Sequence, residues 1–123
     1  MTGFLFVCLG AAVGAPTRYL VDRAIQGRHD SVLPWGTLTV NLVGSLILGV
    51  LTGLAAHQDV PIEVTLALGT GLCGAMTTYS TFSYETLRLF EDGARLFAFV
   101  NVAASLVLGL GAAVAGYALG SAL

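Results

Sequence analysis

The chain has 123 residues, of which 56% are hydrophobic and 10% are charged, with a formal net charge of −2 at pH 7. A soluble domain carries about 25% charged residues, and a chain this short cannot bury so much apolar surface in its own core, so an ordinary soluble domain is excluded. The sequence has no Cys/His metal spacing, phosphate loop or paired carboxylates within an apolar segment. We therefore expect a membrane protein that is not an enzyme and binds no nucleic acid.

The charged residues leave four uncharged stretches, each long enough to hold one membrane span. They cover residues 1–17, 31–58, 64–84 and 96–123. A helix needs about 20 mostly apolar residues to cross the hydrocarbon core, and the stretches lack the alternation of membrane strands. Charge, proline and glycine positions place the helices near 3–23, 34–55, 62–90 and 94–120. We predict one all-α transmembrane domain, 1–123, with four transmembrane helices.

The first predicted helix carries Arg18 near its end. A signal peptide is the alternative for this stretch, but no basic residue precedes the apolar run. The Arg18 side chain can either extend to the lipid headgroups or mark a pore entrance, and both interpretations remain open at this point.

The second predicted helix begins at Pro34 and has Asn41 at its centre. An amide within the membrane needs a partner, so it either joins helices or lines a polar path. Pairs of glycines four residues apart predict close contacts between helices in the first, second and fourth segments. These pairs are Gly10 and Gly14, Gly49 and Gly53, and Gly116 and Gly120.

The third predicted helix combines a glycine-rich half with a hydroxyl-rich half. Glycines 69, 71 and 74 weaken the helical backbone, and five hydroxyl residues follow within seven positions: Thr77, Thr78, Ser80, Thr81 and Ser83. We expect this helix to be broken near its middle, because hydroxyls can satisfy an opened turn and freed carbonyls can hold a cation such as sodium. The alternative is that each hydroxyl bonds back to its own helix, but so many together favour a functional cluster.

An aromatic pair lies next to this cluster. Tyr79 and Phe82 are three residues apart and therefore share a helix face. The edge of an aromatic ring is positive, so rings presented edge-on can favour a small anion. Ordinary packing is the alternative role for both rings.

The fourth predicted helix contains Asn101 and Ser105, one turn apart. Together with Asn41, these groups favour a polar path through the bundle. All five arginines of the chain lie in or beside the first and third connections, so the positive-inside rule predicts that this side is cytoplasmic and that both termini are outside.

Three motifs carry a resemblance to a known family. They are Gly10-x-x-x-Gly14-Ala15-x-x-Arg18-Tyr19, Trp35-Gly36-Thr37-Leu38-x-Val40-Asn41-x-x-Gly44 and Gly74-x-x-Thr77-Thr78-Tyr79-Ser80-Thr81-Phe82-Ser83-x-Glu85. With these motifs the sequence resembles the Fluc/CrcB fluoride channels over essentially its whole length. The resemblance implies a multi-pass protein of the cell inner membrane that exports fluoride passively and so lowers cytoplasmic fluoride.

The resemblance also implies a set of sites. Two antiparallel subunits would form a dimer with two fluoride pores, and a structural sodium ion that is not transported would be held by the backbone carbonyls of Gly74 and Thr77. The implied pore residues are Asn41, Tyr79, Ser80, Thr81, Phe82 and Ser105, with Arg18 at the entrance. The chain departs from the family at Tyr79, where phenylalanine is usual, and at Ala75, where a glycine pair is usual.

Two other classes of membrane protein and one question of assembly remain. A small four-helix drug/proton exporter needs a carboxylate within the membrane, and residues 1–17 contain none. A subunit that only packs helices would have no use for the polar cluster of the third segment. The arginine bias favours a single orientation, so the partner in an antiparallel dimer is either a second copy or an oppositely oriented sibling chain.

Overall fold

The computed structural model describes residues 2–28, 34–77 and 80–123, and every regular element within them is helical. The elements are α1 (Thr2–Arg28), α2 (Trp35–His57), α3 (Ile62–Val64), a π-helical segment (Thr65–Cys73), α4 (Gly74–Met76), α5 (Ser80–Glu91) and α6 (Arg95–Ala122). The predicted all-α fold is therefore confirmed for the described residues.

Among the described residues, three helices are long and apolar enough to cross a membrane: Thr2–Ile25 within α1, the whole of α2, and the whole of α6. The apolar helical run Ile62–Met76 is shorter, and α5 follows it after a break. The third predicted span therefore consists of two helical pieces. Many large apolar side chains on the outer faces of α1 and α6 are exposed, among them Phe4 and Val107 at 69% each. Such surfaces suit lipid or another membrane protein.

The ends of the helices follow local chemistry. Pro34 and Pro61 directly precede α2 and α3, where a missing N–H costs least. Gly93 has a φ of +83°, a left-handed conformation that favours glycine, and it turns the chain between α5 and α6. α1 continues through Pro16 to Arg28, five residues beyond the predicted end.

Glycine seams hold the bundle together in two pairs of helices that run in the same direction. Along α2 and α6, a side chain at Gly49 would overlap the Ala113 carbonyl oxygen and one at Gly53 would overlap that of Tyr117. Along α1 and the π-helical segment, a side chain at Gly10 would overlap the Ala67 carbonyl oxygen. The predicted close contacts of the glycine pairs are confirmed, and these backbones touch because no β-carbon separates them.

Candidate functional site

The break in the third apolar segment occurs at Thr77. Its φ of −80° and ψ of 154° are extended, α4 ends at Met76, and α5 begins at Ser80. The Thr77 amide and hydroxyl both donate to the Cys73 carbonyl oxygen, at 2.9 and 2.7 Å. A helix end leaves the carbonyls of its last turn outside the regular i→i+4 ladder, and Gly74 belongs to that turn. The predicted break is confirmed.

The residues before the break form a π-helical segment, which the sequence analysis did not predict. Gly71 in this segment packs on α1 so closely that a side chain there would overlap the Val7 carbonyl oxygen. Turns of this type occur frequently at functional sites. The break and the π-helical segment together place irregular backbone beside α1 and α2.

A cavity of about 400 Å³ lies at the break, between α2, the two pieces of the third segment, and α6. Five of the residues predicted as site residues line it, which are Asn41, Gly74, Thr77, Phe82 and Ser105. Its other lining residues are Leu38, Leu42, Gly44, Ser45, Leu48, Gly69, Cys73, Leu106 and Gly109. None of these described lining residues carries a charged side chain, so the polar groups that face the cavity are neutral.

The predicted residues reach the cavity from three separate elements. Asn41 lies on α2, Phe82 lies on α5, and Ser105 lies on α6. The Ser105 hydroxyl oxygen is buried and has no hydrogen-bond partner among the described residues. A buried hydroxyl without a partner costs about 1–3 kcal/mol, so this oxygen is available for a ligand or water.

Three predicted residues fall partly or wholly outside the structural description. Tyr79 lies outside the described residues, so its pairing with Phe82 stays a prediction. Ser80 and Thr81 begin α5, but their side chains also lie outside the description.

Arg18 does not line the cavity. Its Nε atom is buried without a hydrogen-bond partner among the described residues, as is the Oδ1 atom of Asp22 one turn later on α1. A side chain at Gly36, in the first turn of α2, would overlap the Asp22 carboxylate. Asp22 therefore lies on the part of α1 that packs against the start of α2, one turn after Arg18, and it was not predicted as a site residue.

A hydrogen bond between Thr37 and Glu85 was also not predicted from the sequence. The Thr37 hydroxyl donates to Glu85 Oε1 at 2.5 Å, and this bond joins α2 to α5. Thr37 is only 3% exposed. Both residues lie in the motifs that carry the family resemblance, which is the signal that could have identified them.

Asn101 has a different role from that of Ser105. Its amide donates to the Thr86 hydroxyl at 2.8 Å, and that hydroxyl donates to the Phe82 carbonyl oxygen at 2.8 Å. Asn101 is 3% exposed and does not line the cavity. An amide in an apolar helix was expected either to join helices or to line a polar path, and Asn101 joins α6 to α5.

Comparison with known proteins gives one consistent answer. The family described as "CrcB-like protein, Camphor Resistance (CrcB)" matches residues 5–117. The chain is 57% identical to the fluoride-specific ion channel FluC 1 of Frankia casuarinae, over 98% of this chain and 97% of the relative. It is 58% identical to FluC 1 of Streptomyces avermitilis, over 92% and 91% of the two chains. With the fluoride-specific ion channel FluC of Shewanella woodyi it shares 45% identity, over 88% and 87%.

Proposed function

The chain belongs to the CrcB-like protein family, and we propose that it is a fluoride-specific channel through which fluoride leaves the cell passively, lowering its cytoplasmic concentration. The relatives named above are fluoride-specific ion channels and match this chain over most of its length. The observation that carries the proposal is the uncharged cavity at the helix break, which brings together Asn41, Phe82 and Ser105 from three elements.

The chemistry of the cavity suits a small anion. Fluoride is strongly hydrated, so a pathway must replace lost water with hydrogen-bond donors. An amide and hydroxyls supply donors without a fixed positive charge, and the edge of the Phe82 ring adds a weak positive potential. Conduction requires sites that attract the ion and still release it, and neutral donors meet both conditions better than an arginine would.

The proposed pathway runs along α5 and past the cavity. Tyr79, Ser80 and Thr81 precede Phe82 in sequence, and we assign them to the same pore with Asn41 and Ser105. Arg18 is assigned to the pore entrance, where its charge would draw anions from solution.

The membrane-spanning unit is proposed to be a dimer. In each subunit the third apolar segment, broken at Thr77, would cross the membrane as the fourth span beside α1, α2 and α6. The second subunit would lie antiparallel, in the cell inner membrane, and would be either a second copy or an oppositely oriented sibling. A topology assay with tags at one terminus tests this, because labelling from both sides of the membrane is expected for a homodimer and labelling from one side only for a heterodimer.

The residues at the break fit a structural sodium ion. Carbonyl oxygens are hard ligands of the kind that sodium prefers, and the carbonyls of Gly74 and Thr77 lie at the interrupted helix. A bound sodium ion would supply a fixed positive charge that holds the two pieces of the third segment together, and it would not be transported. Thermal stability of the purified protein should be higher in sodium than in N-methylglucamine, and equal stability would argue against this site.

Fluoride efflux from liposomes tests the pathway. Purified protein is reconstituted into fluoride-loaded vesicles, and release is followed with a fluoride-selective electrode. Asn41→Ala and Phe82→Ile should slow release, because each removes a group that faces the cavity. The matched control is Phe97→Ile, which changes an exposed ring on α6 that does not line the cavity. This variant should release fluoride like the unmodified protein. Unchanged efflux in both cavity variants would remove these residues from the pathway.

A further inference from the structure

Ser45 lines the cavity at the helix break, although it is not among the site residues predicted from the sequence. It lies on α2, four residues after Asn41, and residues with this spacing share one helix face. The polar face of α2 therefore continues one turn beyond the amide, and both residues line the same cavity.

The Ser45 hydroxyl faces the stripe of α6 that carries Ser105. Its oxygen lies 4.0 Å from the position that a β-carbon would occupy at Gly109, and Gly109 is one turn after Ser105. Apart from the neighbouring atoms of α6 itself, that oxygen is the only heavy atom that such a β-carbon would meet within 4 Å in the described structure. The absence of a side chain at Gly109 therefore keeps open the space between the Ser45 hydroxyl and α6.

Other hydroxyls on α2 are used by the helix itself. Thr39 donates to the Trp35 carbonyl oxygen and Thr52 donates to that of Leu48, each at 2.8 Å, which is the usual bond of such residues in membrane helices. Within the described part of the chain, no bond of this kind is formed by Ser45. The Ser105 hydroxyl is likewise without a partner there. Two hydroxyl donors on facing helices thus line one cavity without a partner among the described residues.

We propose that the Ser45 and Ser105 hydroxyls together donate hydrogen bonds to the permeating anion, forming a second binding position one turn beyond Asn41. The inference rests on the proposed fluoride channel and adds a residue to its pathway. Two neutral O–H donors can replace two waters of the fluoride hydration shell. Because hydroxyls carry no positive charge, they would not hold the anion permanently. Ser45 is in this sense a residue that contacts the transported ion.

Fluoride efflux from proteoliposomes tests the inference with three variants and one control. The variants are Ser45→Ala, Ser105→Ala and the double variant, and the control is Thr52→Val. Thr52 lies on the same helix, but its hydroxyl bonds to its own backbone and does not line this cavity. Each protein is first shown to be folded and homogeneous by a single symmetric peak in size-exclusion chromatography. Ser45→Cys serves as a further variant, because a thiol fills the same space and is a weaker donor.

Ser45→Ala should slow fluoride release about tenfold, the loss of one hydrogen bond to a charged ion, and Ser45→Cys should give an intermediate rate. Thr52→Val should release fluoride like the unmodified protein. The double variant should lose less than the product of the two single losses, because both hydroxyls act on one ion.

Three results would overturn the inference, and they are distinguishable. If the unmodified protein releases fluoride but Ser45→Ala matches it, Ser45 does not contact the ion, and the proposed channel stands. If single losses multiply in the double variant, the two hydroxyls do not share a site. An unmodified protein that releases no more fluoride than empty vesicles would remove the proposed channel and this site with it.

Discussion

Replacing Gly116 with alanine should force α2 and α6 apart, whereas the same replacement at Gly111 should be tolerated. A β-carbon at Gly116 would overlap the Leu46 carbonyl oxygen and lie 2.9 Å from the Val50 amide nitrogen. At Gly111, five residues earlier on the same helix, a β-carbon would meet nothing within 4 Å. Both changes give the helix the same gain in intrinsic propensity, about 1 kcal/mol, so their difference isolates the contact between helices.

The expected difference follows from what the new methyl group would meet. Its neighbours are backbone atoms of α2, which cannot rotate away as a side chain can. The helices would have to separate by roughly 1 Å, and overpacking of this kind costs about 1–3 kcal/mol. Separation would also weaken the packing at Gly49 and Gly120 on the same seam, where dispersion contacts depend steeply on distance.

Unfolding in mixed detergent micelles measures this difference. Purified Gly116→Ala and Gly111→Ala proteins are titrated with sodium dodecyl sulfate and followed by circular dichroism. We expect the free energy of unfolding of Gly116→Ala to be lower by about 1–3 kcal/mol than that of Gly111→Ala. Equal values would refute the close packing of α2 on α6.

The remaining predictions concern single contacts. Thr37→Val leaves the Glu85 carboxylate without its donor and should lower the free energy of unfolding by about 1–3 kcal/mol. Thr37→Ser keeps the hydroxyl and should keep most of this free energy in the same titration, so similar losses in both variants would contradict the hydrogen bond. Asn101→Leu removes the hydrogen bond between α6 and α5 and should lower the free energy of unfolding by about 1 kcal/mol. Fluoride selectivity should not change, and a changed selectivity would place Asn101 in the pore. Gly74→Ala should preserve the free energy of unfolding in the same titration, because Gly74 has a φ of −62° and a β-carbon there would meet nothing within 4 Å; a clearly lower value would contradict this open space.

The features that the sequence could predict depend on local chemistry. The apolar lengths predict the spans of α1, α2 and α6, and the change from glycines to hydroxyls predicts a break near the middle of the third segment, because both signals lie within a single segment of the chain. Asn41 and Ser105 were likewise identifiable as polar groups in apolar helices. Ser45 could have been found by its spacing from Asn41, since one turn of α2 separates them.

The features that the sequence could not predict depend on distant contacts. The Thr37–Glu85 bond joins residues 48 positions apart, and neither side chain indicates the other. The π-helical segment Thr65–Cys73 packs on α1 through Gly71, so its geometry depends on a helix far away in sequence. Asn101 could equally have lined a pore, and only its contact with Thr86 shows which helices it joins.

The proposed function requires that this bundle passes fluoride and excludes chloride. The most direct test compares the two ions in liposomes that contain the purified, unmodified protein, with matched internal fluoride or chloride and ion-selective electrodes outside. We expect rapid fluoride release that depends on the protein, and chloride release no faster than from empty vesicles. Fluoride release equal to that of empty vesicles, or equal release of both ions, would contradict the proposed function.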